Sequence, residues 1–185
     1  MKHLILFFSA AVFLLFTESA VSAQQIVYAD ASAFPLYGKV SEDTDGRYER
    51  LPSHLKTVSR EPVWYLGRNS AGLYIRFRSN STSIHLRWES MFNNSMTHMT
   101  DTGTKGLDLY ALQDGEWRHV CSAQPQGKKS ERAVIRYMDP IEREYMLYLS
   151  LYDGISSLEI GVDEGASLDM PAVDSPSSER PVVMY

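Results

Sequence analysis

Short runs of alternating apolar and polar residues, each closed by a turn signal, constrain this chain more than any other feature. Leu73, Ile75 and Phe77 alternate with Tyr74, Arg76 and Arg78. After Ser79-Asn80-Ser81-Thr82, Ile84, Leu86 and Trp88 alternate with His85, Arg87 and Glu89. Successive side chains on an extended backbone point to opposite faces, so each run has a core face and a solvent face. The spacing predicts that these two runs form a hairpin. Gln113-Asp114-Gly115-Glu116 turns a strand at residues 107–112 back into one at 117–121. Further strands are expected at residues 132–137, 145–152 and 158–162, with Asp153-Gly154 as a turn between the last two. No sustained helical period is present after the N-terminal region. One helical turn is expected at Asp139-Pro140-Ile141-Glu142, with Asp139 as N-cap and Pro140 in the first helical position. Turn signals this regular predict an all-β fold, an antiparallel β-sandwich of jelly-roll-like form.

The ends of the chain differ from this pattern. Lys2 and His3 precede an apolar run at residues 4–16, and Val21-Ser22-Ala23 has the small-x-small form of a signal-peptide cleavage site. The run is short for a membrane span. Residues 1–23 are therefore expected to be a signal peptide, placing the mature chain in a secreted or periplasmic location with no membrane contact after cleavage. Residues 24–162 form the expected sandwich domain. Residues 163–180, rich in Ser, Asp, Pro and Ala, are expected to be a linker. Pro181-Val182-Val183-Met184-Tyr185 has the character of a strand that stops abruptly. The formal net charge of −5 argues against nucleic acid as a partner, which calls for a clustered basic face. Cys121 is the only cysteine, so no intrachain disulfide can form.

Motifs that organise catalysis are scarce. No GxSxG elbow and no DxxH pair is present, so no catalytic residue is assigned. His54 lies in a polar loop, His85 on the outward side of its strand, and His119 in a hairpin strand as a cross-strand neighbour. No HxH, HxxxH or CxxC spacing points to a metal, and no cofactor is expected. Residues 90–106 follow neither period. Asn94, His98 and Met99 there combine amide, imidazole and thioether groups suited to a recognition surface. On the following strand, Asp108 and Tyr110 share the face opposite Leu107 and Leu109. Trp88 falls in the apolar register, Trp64 is expected half-buried, and Trp117 beside its turn is the candidate exposed platform.

Gly106-Leu107-Asp108-Leu109-Tyr110 resembles the GxDLY signature of the N-terminal domain of certain SGNH (GDSL-type) esterases. Arg60-Glu61-Pro62-Val63-Trp64, Asn69-Ser70-Ala71-Gly72-Leu73, Met96-Thr97-His98-Met99, Arg143-Glu144-Tyr145-Met146-Leu147-Tyr148-Leu149 and Leu151-Tyr152-Asp153-Gly154 resemble further blocks of it, in order. The resemblance implies a non-catalytic accessory domain that docks in cis onto an SGNH hydrolase domain and helps shape its substrate site, with an acylated carbohydrate as substrate. It also implies that the catalytic Ser, Asp and His belong to that following domain, whose first strand residues 181–185 would begin. No activity is then expected of this chain alone. Asn94, His98, Met99, Asp108, Tyr110 and Trp117 become candidate substrate-binding or domain-docking residues. A free-standing carbohydrate-binding module is the alternative, and it predicts an exposed row of aromatics on one sheet face. A self-contained esterase would need a histidine in reach of a serine, with an acid behind the histidine.

Overall fold

A computed structural model describes residues 25–172, and among these nine strands share out into two antiparallel sheets. In chain order they are β1 (Ile26–Asp30), β2 (Leu36–Tyr37), β3 (Tyr74–Ser79), β4 (Ile84–Ser90), β5 (Leu107–Gln113), β6 (Glu116–Ala123), β7 (Lys129–Ile135), β8 (Arg143–Tyr148) and β9 (Ile155–Asp163). One sheet has the order β1-β9-β4-β7 and the other β2-β3-β8-β5-β6. Their inner faces enclose one contiguous core. Leu73, Ile75, Phe77, Leu107, Leu109, Tyr145 and Leu147 come from the five-stranded side. Ile84, Leu86, Trp88, Leu158, Ile160 and Val162 come from the four-stranded side. Each large apolar side chain removed from water in this way is worth about 2 kcal/mol. The all-β antiparallel sandwich read from the alternation is the fold.

β3 and β4 do not form the expected hairpin. β3 pairs with β2 and β8, while β4 pairs with β7 and β9 in the opposite sheet. The polar connection between them is a corner that carries the chain across the core. Asp163, buried at the end of β9, holds that corner. Its carboxylate accepts from Ser81 Oγ (2.9 Å), Thr82 N–H (2.8 Å), Thr82 Oγ1 (2.7 Å), Ser83 N–H (3.0 Å) and Ser83 Oγ (2.6 Å). Burial opposes the charge on Asp163, yet the hydrogen bonds from Ser83, Thr82 and Ser81 outweigh it and hold the carboxyl below its ordinary pKa. Alternation alone cannot separate a hairpin from a corner, because both present an apolar face to the same core.

Among the described residues helix is confined to short pieces, α1 (Glu61–Gly67) and α2 (Asp101–Lys105), apart from 3₁₀ turns. α1 buries Trp64, which is 9 % exposed and so more enclosed than expected. The helical turn expected at residues 139–142 is absent. There Ile141 N–H donates to Asp139 O, two residues back, and the Arg143 guanidinium donates to the carbonyls of Asp139 and Ile141. A side chain thus takes the acceptors that a helix would have used. The β5–β6 hairpin does form at the expected turn, with Asp114 and Gly115 both in the left-handed region that a two-residue turn requires (φ 54° and 79°). Beyond β9, Asp169 bridges to Arg78 through backbone hydrogen bonds of 2.8 and 2.9 Å, and Ala166 and Leu168 pack against the core. Residues 1–24 and 173–185 lie outside the described residues, and with them the expected signal peptide, part of the expected linker and the strand expected at 181–185.

Candidate functional site

Two structures meet at one end of the sandwich. The first is the loop between β4 and α2, which is shaped by a buried acid that the sequence showed only as part of a turn. Asp153 is fully buried. Its carboxylate accepts from the backbone amides of Phe92 (3.0 Å), Asn94 (2.7 Å) and Gly154 (2.8 Å). Charge-assisted bonds of this kind fix a loop far more firmly than neutral ones. Asn93 sits in the left-handed region (φ 60°), which asparagine tolerates, and its Oδ1 accepts from Lys105 Nζ at 2.7 Å. Lys105 is itself buried, and its ammonium also pairs with Asp101 at 3.2 Å.

The candidate loop residues have distinct fates. Asn94 is a structural tie: its Nδ2 donates to Tyr152 O at 3.0 Å, and its Oδ1 accepts from Tyr65 Oη at 3.0 Å. His98 is exposed at the tip of a tight turn bridged from Met96 to Met99. Met99 is half-buried, with its side chain against Gly103 of α2. Around this loop several large apolar side chains face solvent: Tyr65 (40 %), Leu66 (52 %), Leu151 (50 %) and Tyr152 (37 %). Tyr65 also packs on Phe92 with ring centroids 4.3 Å apart, joining α1 to the same end.

The second structure is a groove on the outer face of the five-stranded sheet. At Gly106 a Cβ would collide with the carbonyl oxygen of Thr102 and lie 2.8 Å from that of Ala123, so only glycine lets α2 run directly into β5. Leu107 and Leu109 are fully buried, whereas Asp108 and Tyr110 point outward. A register shift at Leu109/Tyr110 places an extra residue on β6, so that His119 and Ser122 emerge on this same outer face. Ser122 Oγ donates to Asp108 Oδ1 (2.5 Å), and His119 Nε2 lies 3.3 Å from Ser122 Oγ.

Aromatic rings cross the sheet beside this polar trio. Tyr37 stacks on Tyr74 (5.2 Å between centroids), Tyr74 meets Tyr148 (5.1 Å), and Tyr110 sets an edge against both Tyr148 (5.7 Å) and His119 (5.3 Å). Trp117 is half-buried and stands against the Arg76 guanidinium at 5.4 Å, with Tyr37 on that guanidinium at 5.6 Å. Arg76 is buried and ion-paired with buried Glu144, its Nε 2.8 Å from Oε1 and a second nitrogen reaching the same oxygen. Asp108, Tyr110, Trp117, Met146 and Tyr148 line a groove of about 710 Å³ that reaches Thr100 and Thr102 at the loop end. Burial, followed by the neighbouring Tyr74 and Tyr110, pushes the Tyr148 phenol above its ordinary pKa.

Asp108, Ser122 and His119 contain the residue types of a hydrolytic triad in the wrong order. A triad requires the imidazole to take the serine proton and the acid to orient the imidazole from its far side. Here the serine proton is directed at the acid, and all three residues are exposed on a sheet face. This is a hydrogen-bonded surface network. Among the described residues no group of three or more His, Cys, Asp or Glu side chains is placed to hold a metal ion. Cys121 packs half-buried against the core, and burial, followed by the Asp108 charge, raises its thiol pKa. Of the site residues, Asp108, Tyr110 and Trp117 come together in the groove, whereas Asn94, His98 and Met99 belong to the adjoining loop. Sequence reasoning missed Asp153, Lys105, the Arg76–Glu144 pair and the His119–Ser122 contact. Only a lysine set among small polar residues hinted at any of them.

The fold and its two surfaces define an all-β sandwich domain that presents an aromatic, carboxylate-bearing groove beside an apolar end. This chain belongs to the GxDLY family, the N-terminus of SGNH-hydrolase-type esterases, whose profile matches residues 26–168. Among solved structures it is similar to a protein described as a GDSL-like lipase from Bacteroides ovatus, at 34 % identity and a TM-score of 0.75. That match covers 79 % of this chain and 43 % of the other. It shares its fold with the salicylyl-acyltransferase SsfX3 of a tetracycline biosynthetic pathway, at 17 % identity and a TM-score of 0.58, covering 84 % of this chain and 44 % of that one. The chain thus spans less than half the length of either protein. No curated protein matches it.

Proposed function

We propose that this domain docks in cis onto an SGNH-type hydrolase domain and helps shape its substrate site, with an acylated carbohydrate as the substrate class. The observation that carries this reading is the apolar end of the sandwich, where Tyr65, Leu66, Leu151 and Tyr152 lie exposed around a loop pinned by a buried carboxylate. A rigid loop ringed by apolar side chains fits a partner surface better than it fits solvent. Membership in a family of esterase N-termini supplies the kind of partner. The leader read in the sequence supports a secreted or periplasmic location.

The test supplies the SGNH hydrolase domain of the same gene as a separate chain and measures association by calorimetry. Leu66→Ser combined with Leu151→Ser is expected to weaken binding at least about tenfold, since interface anchors of this kind carry 1–2 kcal/mol each. His98→Ala is expected to weaken it less. A gene without such a domain, or an affinity unmoved by all three changes, would overturn the reading. The aromatic row on the five-stranded sheet favours a second reading, in which the domain binds carbohydrate without an enzyme.

A further inference from the structure

We infer that the groove over β5, β6 and β8 is a binding site for a neutral pyranose-containing oligosaccharide, with Trp117, Tyr110 and Tyr148 as its apolar walls and Asp108 as its hydroxyl-recognising group. This rests on the acylated-carbohydrate reading above and assigns the glycan part of that substrate to a place on this domain. A pyranose ring is amphipathic, with C–H bonds on its faces and hydroxyls around its rim. It needs flat apolar surface and strong acceptors within one short reach.

The groove offers both. Tyr148 and Tyr110 meet edge to ring at its floor, and Trp117 stands at its side. Asp108 is exposed, and among the described residues it accepts only from Ser122, which leaves acceptor capacity directed at the groove. His119 completes a chain from imidazole to hydroxyl to carboxylate, so a sugar hydroxyl donating to Asp108 joins a network that is already ordered. The walls are rigid for a stated reason: the buried Arg76–Glu144 pair holds the guanidinium that backs both Trp117 and Tyr37. Aromatic side chains held in place lose little freedom on binding, which is where weak sugar contacts gain affinity.

Competing occupants fit less well. An acyl chain would strip water from Asp108 without replacing its hydrogen bonds. An anion would meet the carboxylate directly. A peptide strand would add to a sheet edge, whereas this is a sheet face. The volume of about 710 Å³ lies in the range of small-molecule sites. The groove also runs to Thr100 and Thr102, beside the apolar end, so a bound glycan points toward the surface assigned to the hydrolase domain.

The experiment titrates xylohexaose, cellohexaose and mannohexaose into the chain, following heat and tryptophan emission. At least one is expected to bind at millimolar concentration or below and to change the emission. Trp117→Ala and Tyr148→Ala are each expected to weaken binding about tenfold, and Asp108→Asn about three- to tenfold. Thermal melts check each fold; should the aromatic variants unfold, the exposed Asp108→Asn change alone decides. Leu66→Ser alone, at an exposed position outside the groove lining, should leave sugar binding unchanged. No binding of any hexaose, or a wild-type affinity in Asp108→Asn, would overturn the inference. A wild-type chain that binds sugar but does not associate with the hydrolase domain would defeat only the docking proposal, and one that associates but binds no sugar would defeat only this one.

Discussion

The two outer faces of the sandwich use the same antiparallel pleat for opposite purposes. On the four-stranded sheet the outward residues are charged and satisfy one another. Arg87 pairs with Glu131 (3.0 Å) and lies over the Tyr28 ring (3.6 Å), Tyr28 Oη donates to Glu131 (3.0 Å), and Lys129 pairs with Glu89 (3.4 Å). These groups remain in water, where each pair is worth little. On the five-stranded sheet the outward residues are mostly aromatic, and the charges that matter are buried beneath them. Arg76 and Glu144 neutralise each other there, leaving Asp108 as the charge that faces the groove. The first face pairs exposed charges across its strands, whereas the second buries one pair and leaves one carboxylate among rings.

The sharpest way to break this contrast is Arg76→Ala. It strands the Glu144 carboxylate in a buried site and is expected to cost about 3–5 kcal/mol in denaturant unfolding, because an uncompensated buried charge is expensive. Replacing the pair together, Arg76→Met with Glu144→Leu, should recover most of that loss, since apolar residues of similar size do not need each other's charge. A cost for Arg76→Ala no greater than that of a surface change would refute the distinction between the faces.

Alkaline titration tests the same contrast more gently. Burial, then the hydrogen bond and charge of Glu131, push the Tyr28 phenol up to about 12. A phenol with a higher pKa folded than unfolded adds stability that is complete below its unfolded value of about 10 and drains away as the pH climbs toward the folded value. Glu131→Gln should therefore lower the Tyr28 transition in ultraviolet titration without returning it fully, since burial persists. Tyr148, whose raised pKa comes first from burial, should titrate unchanged in that variant. Equal movement of both phenols would erase the difference. The smallest effect is on stability: at neutral pH, Glu131→Gln is expected to cost less than about 1 kcal/mol, as exposed ion pairs do.

Much of this architecture was legible in the order of residue types. The alternation through Leu73, Ile75 and Phe77 and through Ile84, Leu86 and Trp88 marked the core side of β3 and β4 without ambiguity. Asp114-Gly115 announced the β5–β6 turn, because few other pairs adopt two positive φ angles cheaply. The outward aim of Asp108 and Tyr110 followed from the same parity, while Trp117 was marked only by its place beside the turn. The role of Asn94 did not. An amide in an irregular loop is equally suited to bind a ligand or tie a backbone, and only its contacts with Tyr152 and Tyr65 decide.

The sequence by itself determined which side of each strand is apolar, because pleat parity is a property of the local backbone and needs no partner. It determined a glycine at position 106 within a signature that also names an outward acid and an outward tyrosine. Only the tertiary structure decided that β3 and β4 lie in different sheets, since the choice rests on Asp163 closing the corner from far along the chain. Only it brought Arg76 to Glu144, and His119 and Ser122 to Asp108. Those meetings depend on strand order and on one bulge in β6, which are set by the free energy of the whole core, and no local pattern records them.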